Sequence, residues 1–297
     1  MTTPHAPAEP ELIHLRPWDR VFRINAGPRK VLGEDCGHWG VVRDFDQISE
    51  LRIIPIREKF EDSREYRAFH DVFVKGRKWE ETDFYKHIID DYIAKGKPMW
   101  RCRTEEQFRK RLRRDVGKIY RNMLEYGFLS QAELLAMQDS ADDGRFEQDF
   151  ASFKRKGYIS RISRTHEIML GINETGTLLF LDGRHRLGIA RILGIEDIPV
   201  RIVFRQRRWH DLRSRLAGLS GKSRDGRYLV IDHPDLAHIS IPAQVMDAAL
   251  AALRGCGLKR IKFEMRYTGP SLDQWPKLYQ KLPRRTASRL LNYLRMR

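Results

Sequence analysis

One stretch of this chain leaves few choices of fold. Residues 166–172 and 177–181 are two short apolar runs. Between them lie Asn173, Glu174, Thr175 and Gly176, a turn with a residue able to take positive φ, so the pair reads as a β-hairpin. The second run passes directly into Asp182, Gly183, Arg184, His185 and Arg186. A short helix through Leu187, Ala190 and Leu193 follows and closes at Gly194. Residues 198–203 then form a further strand, with Pro199 near its start, where a missing N–H is tolerated. Two strands, a helix and another strand in so short a span predict an α/β (α+β) fold.

The junction between strand and helix is also where chemistry is expected. A glycine at such a turn lets the backbone approach a ligand closely. The helix beginning there offers free N–H groups and the positive end of its dipole to an anion. Arg184, His185 and Arg186 add side-chain donors at the same place. Asp182 could orient a base, hold Mg²⁺ or simply cap the helix. The alternative is a tight turn whose arginines are merely solvated.

The rest of the chain organises around this centre. Residues 1 to about 15 read as a flexible leader, polar and proline-rich at first, with neither the basic nor the apolar region of a secretory signal. Residues 52–56 read as an edge strand weakened by Pro55. A helix is predicted over 82–94 from Phe84, Tyr85, Ile88, Ile89, Tyr92 and Ile93. Thr104 and Gln107 form a capping box that opens a longer helix, marked by Phe108, Leu112, Val116, Ile119 and Met123 and closed by Gly127. Residues 138–148 are a polar, acidic loop. A basic helix with Trp209 spans 205–216, and 220–226 is linker-like. Then 228–231, 245–253 and 259–265 read as strand, helix and strand, with a basic helix or tail over 283–297. These signals divide the chain into an N-terminal, partly helical extension (1–97), a core (98–216) and a small C-terminal α/β module (217–297).

Charge narrows the partners. The chain has 56 Lys+Arg against 40 Asp+Glu, a formal net charge of +16. Residues 101–121 hold nine Lys/Arg and three acids, 201–215 six and one, and 259–297 eleven and two. Those stretches carry more positive charge than the whole chain, so the remainder is slightly acidic. Arg205, Arg207, Arg208, Trp209, Arg284 and Arg285 are the candidates for contact with nucleic acid, as cations interleaved with an aromatic able to stack on bases. A solvated helix face and a basic tail are the alternative. No apolar run is long enough to span a bilayer. Cys36, Cys102 and Cys256 form no CxxC pair, which fits reduced thiols in a cytoplasmic protein. His233, Pro234 and Asp235 with His238 read as a loop rather than a metal site.

Residues 179–200 resemble the ParB/sulfiredoxin-like superfamily. There a strand enters a G-x-x-R turn, a helix ends in L-G, and I-P-V starts the next strand. Gly183, Arg186, Leu193, Gly194, Ile198, Pro199 and Val200 carry the match. Upstream, 119–128 followed by Gln131 resembles the helix and G-x-x-Q-P stretch of ParB-type domains, without the proline. Arg103 stands in the place of a P-R phosphate contact, with Cys102 in place of the proline. The likeness covers 99–216, about two-fifths of the chain. Sulfiredoxins carry G-C-H-R and partition proteins G-E-R-R. The free-serine-kinase branch carries D-G-H-H-R, one position from Asp182 to Arg186 here. A prokaryotic group with D-G-R-H-R-L-x-I-A and an upstream W-E-x-T-x-x-Y (Trp79 to Tyr85 here) is similar as well.

The resemblance implies a nucleotide (ATP, ADP or CTP, with Mg²⁺) held over the turn and a phosphotransferase or nucleoside triphosphatase acting on a small-molecule acceptor. Gly183, Arg184, His185, Arg186, Arg103 and Gln131 would bind phosphate. Asp182 and His185 would take part in catalysis, His185 donating a hydrogen bond or shuttling a proton. Glu167, Glu80, Glu81 and Glu105 are candidate bases, and Glu167 on the hairpin is the one taken forward. The rival readings are a DNA- or RNA-binding accessory protein without catalysis and a catalytically inactive scaffold for a protein partner.

Overall fold

The computed structural model describes residues 12–24, 47–49, 58–130, 133, 167–256 and 263–267. The molecule is a mixed α/β protein, as expected. Its sheet has the strand order β1-β6-β4-β5-β2, with β3 also paired to β6. These strands are β1 (Leu12–Leu15), β2 (Val21–Arg23), β3 (Gln47–Ser49), β4 (Ile168–Ile172), β5 (Leu178–Asp182) and β6 (Ile198–Gln206).

Strands β4 and β6 are buried along their whole length, which is why both read as near-continuous apolar runs. They pair in parallel, and β5 returns antiparallel to β4. The connecting turn is closed by Asn173, whose Oδ1 accepts from the N–H groups of Thr175 (3.0 Å) and Thr177 (2.8 Å). The side chain of Gln206, at the end of β6, accepts from the Glu174 N–H at 2.7 Å and ties this turn to the neighbouring strand.

The flexible leader needs correcting. Residues 12–15 form β1, antiparallel to the first half of β6, with Leu12 opposite Arg201 and Leu15 opposite Ile198. Ile13 and Leu15 are buried there. The alternation in Leu12–Leu15 is real but only four residues long, too short to stand out from a polar start. The sheet therefore draws strands from both the 1–97 and the 98–216 segments.

Helices pack on one face of the sheet. They are α1 (Arg64–Phe73), α2 (Asp83–Asp91), α3 (Glu105–Arg111), α4 (Gly117–Tyr126) and α5 (Arg184–Ile192). Ser63, Thr82 and Thr104 cap the first three through their hydroxyls. At Thr104 the box is displaced by one residue: Gln107 accepts from the N–H of Arg103, not of the cap itself. The long helix expected from 104 to 127 is broken by a π turn, Leu112–Val116, between α3 and α4. Phe108, Leu112, Val116 and Met123 are buried as their spacing predicts. Phe69, Phe84, Ile88 and Leu187 complete this layer.

Strand β6 runs directly into α6 (Arg207–Gly218). Beyond it β7 (Arg227–Ile231) is flanked by β8 (Ser240–Pro242) and β9 (Phe263–Tyr267), all antiparallel. Helix α7 (Met246–Gly255) covers this small sheet and meets α6. Leu229, Ile231, Ile241, Ala249 and Leu253 join the same apolar core as the larger sheet. Strand β8 is just three residues long and ends in a proline, too short for a period-two signal in the sequence. The expected strand at 52–56, the acidic loop at 138–148 and the basic tail at 283–297 lie outside the described residues.

Candidate phosphate site

The turn at 182–186 lies where β5 leaves its antiparallel partner β4. β5 ends at Asp182, and Gly183 follows in the left-handed region at φ 88°. A β-carbon at 183 would lie 2.9 Å from the Cα of Ile168, at the start of β4. Both facts require glycine, so the backbone here passes closer to its neighbour than any side chain allows. The Gly183 N–H donates to Asp182 Oδ1 at 2.7 Å. Helix α5 begins at Arg184 with no side chain capping it, so the N–H groups of its first turn have no partner within the helix.

The three basic residues take different positions. Arg184 donates to Glu65 Oε1 on α1 at 2.9 Å. Arg186 is more deeply set and lies 3.5 Å from Glu167 Oε2, itself only 2% exposed. Burial works against the Arg186 charge, and Glu167 and Asp182 counter it. The structure thus joins Glu167 to the turn, which the sequence alone did not establish.

His185 is packed edge-on between Phe69, with ring centroids 5.7 Å apart, and Trp100, at 4.9 Å. Its Nε2 is buried and has no hydrogen-bond partner. Burial, reinforced by Arg184 and Arg111 and opposed by Asp115, pushes its pKa down to about 4. The imidazole is therefore neutral near pH 7. A group titrating that low is poorly matched to proton transfer at neutral pH, which disfavours the proton-shuttle role expected of it. Hydrogen bonding remains open to it.

Two residues beside the turn were missed. Met99 and Cys102 pair through both backbone groups, at 2.8 and 3.1 Å, and enclose Trp100 at φ 48° and Arg101 at φ 63°. Two successive left-handed residues make a hairpin turn that ordinarily selects Asn-Gly. The Arg111 guanidinium donates to the Trp100 carbonyl and also pairs with Asp115 at 3.3 Å. The bracketing of 99–103 by Pro98 and the Thr104 cap was the only sequence hint of so tight a loop.

The other expected residues fall as follows. The side chain of Arg103 is exposed, two residues after a backbone-strained Arg101. Gln131, Arg284 and Arg285 lie outside the described residues. Asp182 is half-buried at the strand end, and among the described residues no cluster of three His, Cys, Asp or Glu could hold a metal ion. Arg207 and Arg208 are exposed, Arg208 donating to the Gly255 carbonyl at 3.0 Å.

Arg205 and Trp209 are corrections. Arg205 is buried against the Asp235 carboxylate, which its Nε reaches at 2.9 and 3.1 Å. Trp209 is fully buried and donates its Nε1 hydrogen to the same carboxylate. Neither can meet a nucleic acid. Arginine is the natural partner for a buried carboxylate because its fork binds both oxygens.

Cavities of about 240 Å³ (between Tyr66, Arg67, His70 and Lys75) and about 380 Å³ (between Tyr228, Val230, Ser240 and Arg266) contain no residue of the turn. Cys102 and Cys256 are buried free thiols. Among the described residues no helix is long and apolar enough to cross a membrane. No family model, curated protein or solved structure matches the chain.

Proposed function

We propose that this protein binds a nucleotide by its phosphates at the Asp182–Arg186 turn and there transfers or hydrolyses a phosphoryl group, as the resemblance to the ParB/sulfiredoxin-like superfamily implies. The observation that carries the reading is the uncapped start of α5 behind a left-handed glycine, flanked by Arg184. Backbone N–H groups and the helix dipole at such a start favour an anion. Arg184 has five donors and spends one on Glu65, which orients the guanidinium without exhausting it. Such preorganised donors are what a transferring phosphoryl group requires.

Within this reading Glu167 is the base. The Arg186 guanidinium lies 3.5 Å from its carboxylate and sets it beside the turn. Asp182 is the residue that would hold Mg²⁺, since one carboxylate together with substrate phosphates and water suits that ion. The metal would neutralise charge on the phosphates. The bound nucleotide would be ATP, ADP or CTP, and the acceptor a small molecule or water.

The test is phosphate release and transfer from ATP, ADP and CTP with Mg²⁺, followed by ³¹P NMR. Turnover that falls about 100-fold or more in Glu167→Gln, with nucleotide affinity kept, supports the assignment. Turnover unchanged in that variant would remove Glu167 from the chemistry. No turnover of any nucleotide, with small hydroxyl acceptors present, would leave a binding protein rather than an enzyme.

A further inference from the structure

The neighbour that closes His185 in is held in a costly backbone conformation. Trp100 and Arg101 are consecutive non-glycine residues with positive φ, where L side chains crowd the backbone. The Trp100 indole stands in an aromatic setting made by Phe108 (5.5 Å between centroids), Phe84 (5.8 Å) and His185 (4.9 Å). Yet Trp100 itself is only partly buried. Arg111 grips its carbonyl from the last turn of α3, just ahead of the π turn. Single π turns inside helices are uncommon and occur often at functional sites.

The contact leaves one polar atom unsatisfied. Nε2 of His185 is buried and without a hydrogen bond, although leaving such an atom unpaired is costly. The Trp100 indole does not repair this: its single polar group, an N–H, makes no bond to Nε2, and the rings meet edge to face. A nucleobase could. It is planar and aromatic like indole, it stacks in the same surroundings, and its edge carries both donors and acceptors. His185 also lies in the first turn of α5, beside the backbone donors assigned to phosphate.

We propose that the space filled by Trp100 beside His185 is the seat of the nucleotide's base, with Trp100 as a removable plug and His185 Nε2 as the atom that meets the base edge. This rests on the phosphate reading of the turn. Binding then exchanges one aromatic ring for another, relieves the left-handed pair at 100 and 101, and pairs the unsatisfied nitrogen. The closed plug lowers apparent affinity by the fraction of molecules in which it is open.

The experiment measures dissociation constants for ATP, CTP, GTP, UTP and pyrophosphate on the full chain by calorimetry. Three variants are compared: Trp100→Ala, His185→Phe and Arg101→Gly. Trp100→Ala should bind the preferred nucleotide at least threefold more tightly, with pyrophosphate unchanged. His185→Phe should bind that nucleotide about tenfold more weakly and lose preference among bases, with pyrophosphate weakened less than the nucleotide. Arg101→Gly relaxes the closed turn, so it should raise the melting temperature and weaken nucleotide binding. It keeps the question decidable if Trp100→Ala does not fold. The inference is overturned if the folded variants bind nucleotides as the wild type does. It is overturned equally if Trp100→Ala weakens nucleotide and pyrophosphate alike. Pyrophosphate binding as tightly as every nucleotide removes the base seat and leaves the phosphate turn standing. Binding of neither removes both.

Discussion

The indole Nε1 of Trp209 donates a 2.8 Å hydrogen bond to Oδ2 of Asp235, and this contact fastens the C-terminal module to the main sheet. Asp235 is fully buried and also receives Arg205 from β6, while Arg213 lies 3.6 Å away. His233 completes the arrangement. Its Nε2 lies 2.7 Å from the Gly176 carbonyl and its Nδ1 accepts from the Asp235 N–H at 3.1 Å. A carbonyl can only accept, so the proton sits on Nε2 and the ring is neutral, in agreement with the lowering of its pKa by burial. The β4–β5 hairpin that leads to Asp182 is thereby braced from the C-terminal side.

Removing the carboxylate should be severe. Asp235→Ala removes the carboxylate against which Arg205 is buried and should cost about 3–5 kcal/mol. The Asp235 pKa is held down by Arg205, Trp209 and Arg213 against the opposing effect of burial. Its contribution is therefore present above the ordinary carboxylate range and lost as pH falls below it. Urea unfolding of wild type and variant at neutral pH measures the difference. A cost under about 1 kcal/mol, the usual value of an exposed pair, would contradict the bracing role.

The same brace makes Gly176 intolerant. A β-carbon there would lie 2.4 Å from Trp209 Cζ3, and φ is 78°. Gly176→Ala should cost at least about 1–3 kcal/mol from overpacking alone. Gly194→Ala is the control, because φ is 66° with nothing within 4 Å. That variant should show only the conformational penalty, about 1 kcal/mol. Equal costs would mean that the indole yields.

Acid should unfold the protein partly through His185. An unfolded histidine takes up a proton near 6.5, whereas His185 resists protonation until about 4. Between those values the unfolded chain binds more protons, so stability falls as pH is lowered through the window. The span corresponds to about 3 kcal/mol. In His185→Phe this loss should shrink by that order, while the buried His233 continues to contribute in the same direction. Denaturant midpoints from pH 7 to 4 read the effect, and parallel curves would place His185 in a wetter setting.

Leu15 tests whether the first strand matters. It is fully buried in β1, opposite Ile198. Leu15→Ala should cost about 2–5 kcal/mol, the range for emptying a core site. A leader would show nothing.

Much of this was legible in the sequence. The hairpin, the turn, α5 and β6 were readable because Asn173, Gly176 and Gly183 mark turns and because the strands are buried on both faces. The cap at Thr104 was readable for the same local reason, whereas Thr82 was read only as the start of a helix and its capping hydroxyl was not. What was lost is non-local. β1 is only four residues long, and its value comes from β6, which lies far along the chain. Trp209 and Arg205 looked like a basic aromatic surface, since nothing in their own neighbourhood reveals that Asp235 awaits them. The Trp100–Arg101 turn was hidden because neither residue favours the conformation it adopts. Glu65 and Glu167 became partners of the turn only when α1 and the start of β4 were brought beside it.

The most direct measurement is the melting transition of the full chain with ATP, ADP, CTP and Mg²⁺, for wild type and Arg184→Ala. Arg184 is the better probe because it is partly exposed, so its loss should alter binding more than folding. A nucleotide at about a hundredfold its dissociation constant adds about 2.7 kcal/mol of stability, a readily visible shift. The account predicts such a shift with at least one nucleotide and its loss in Arg184→Ala. No shift with any nucleotide, or the same shift in both proteins, would contradict a phosphate site at this turn.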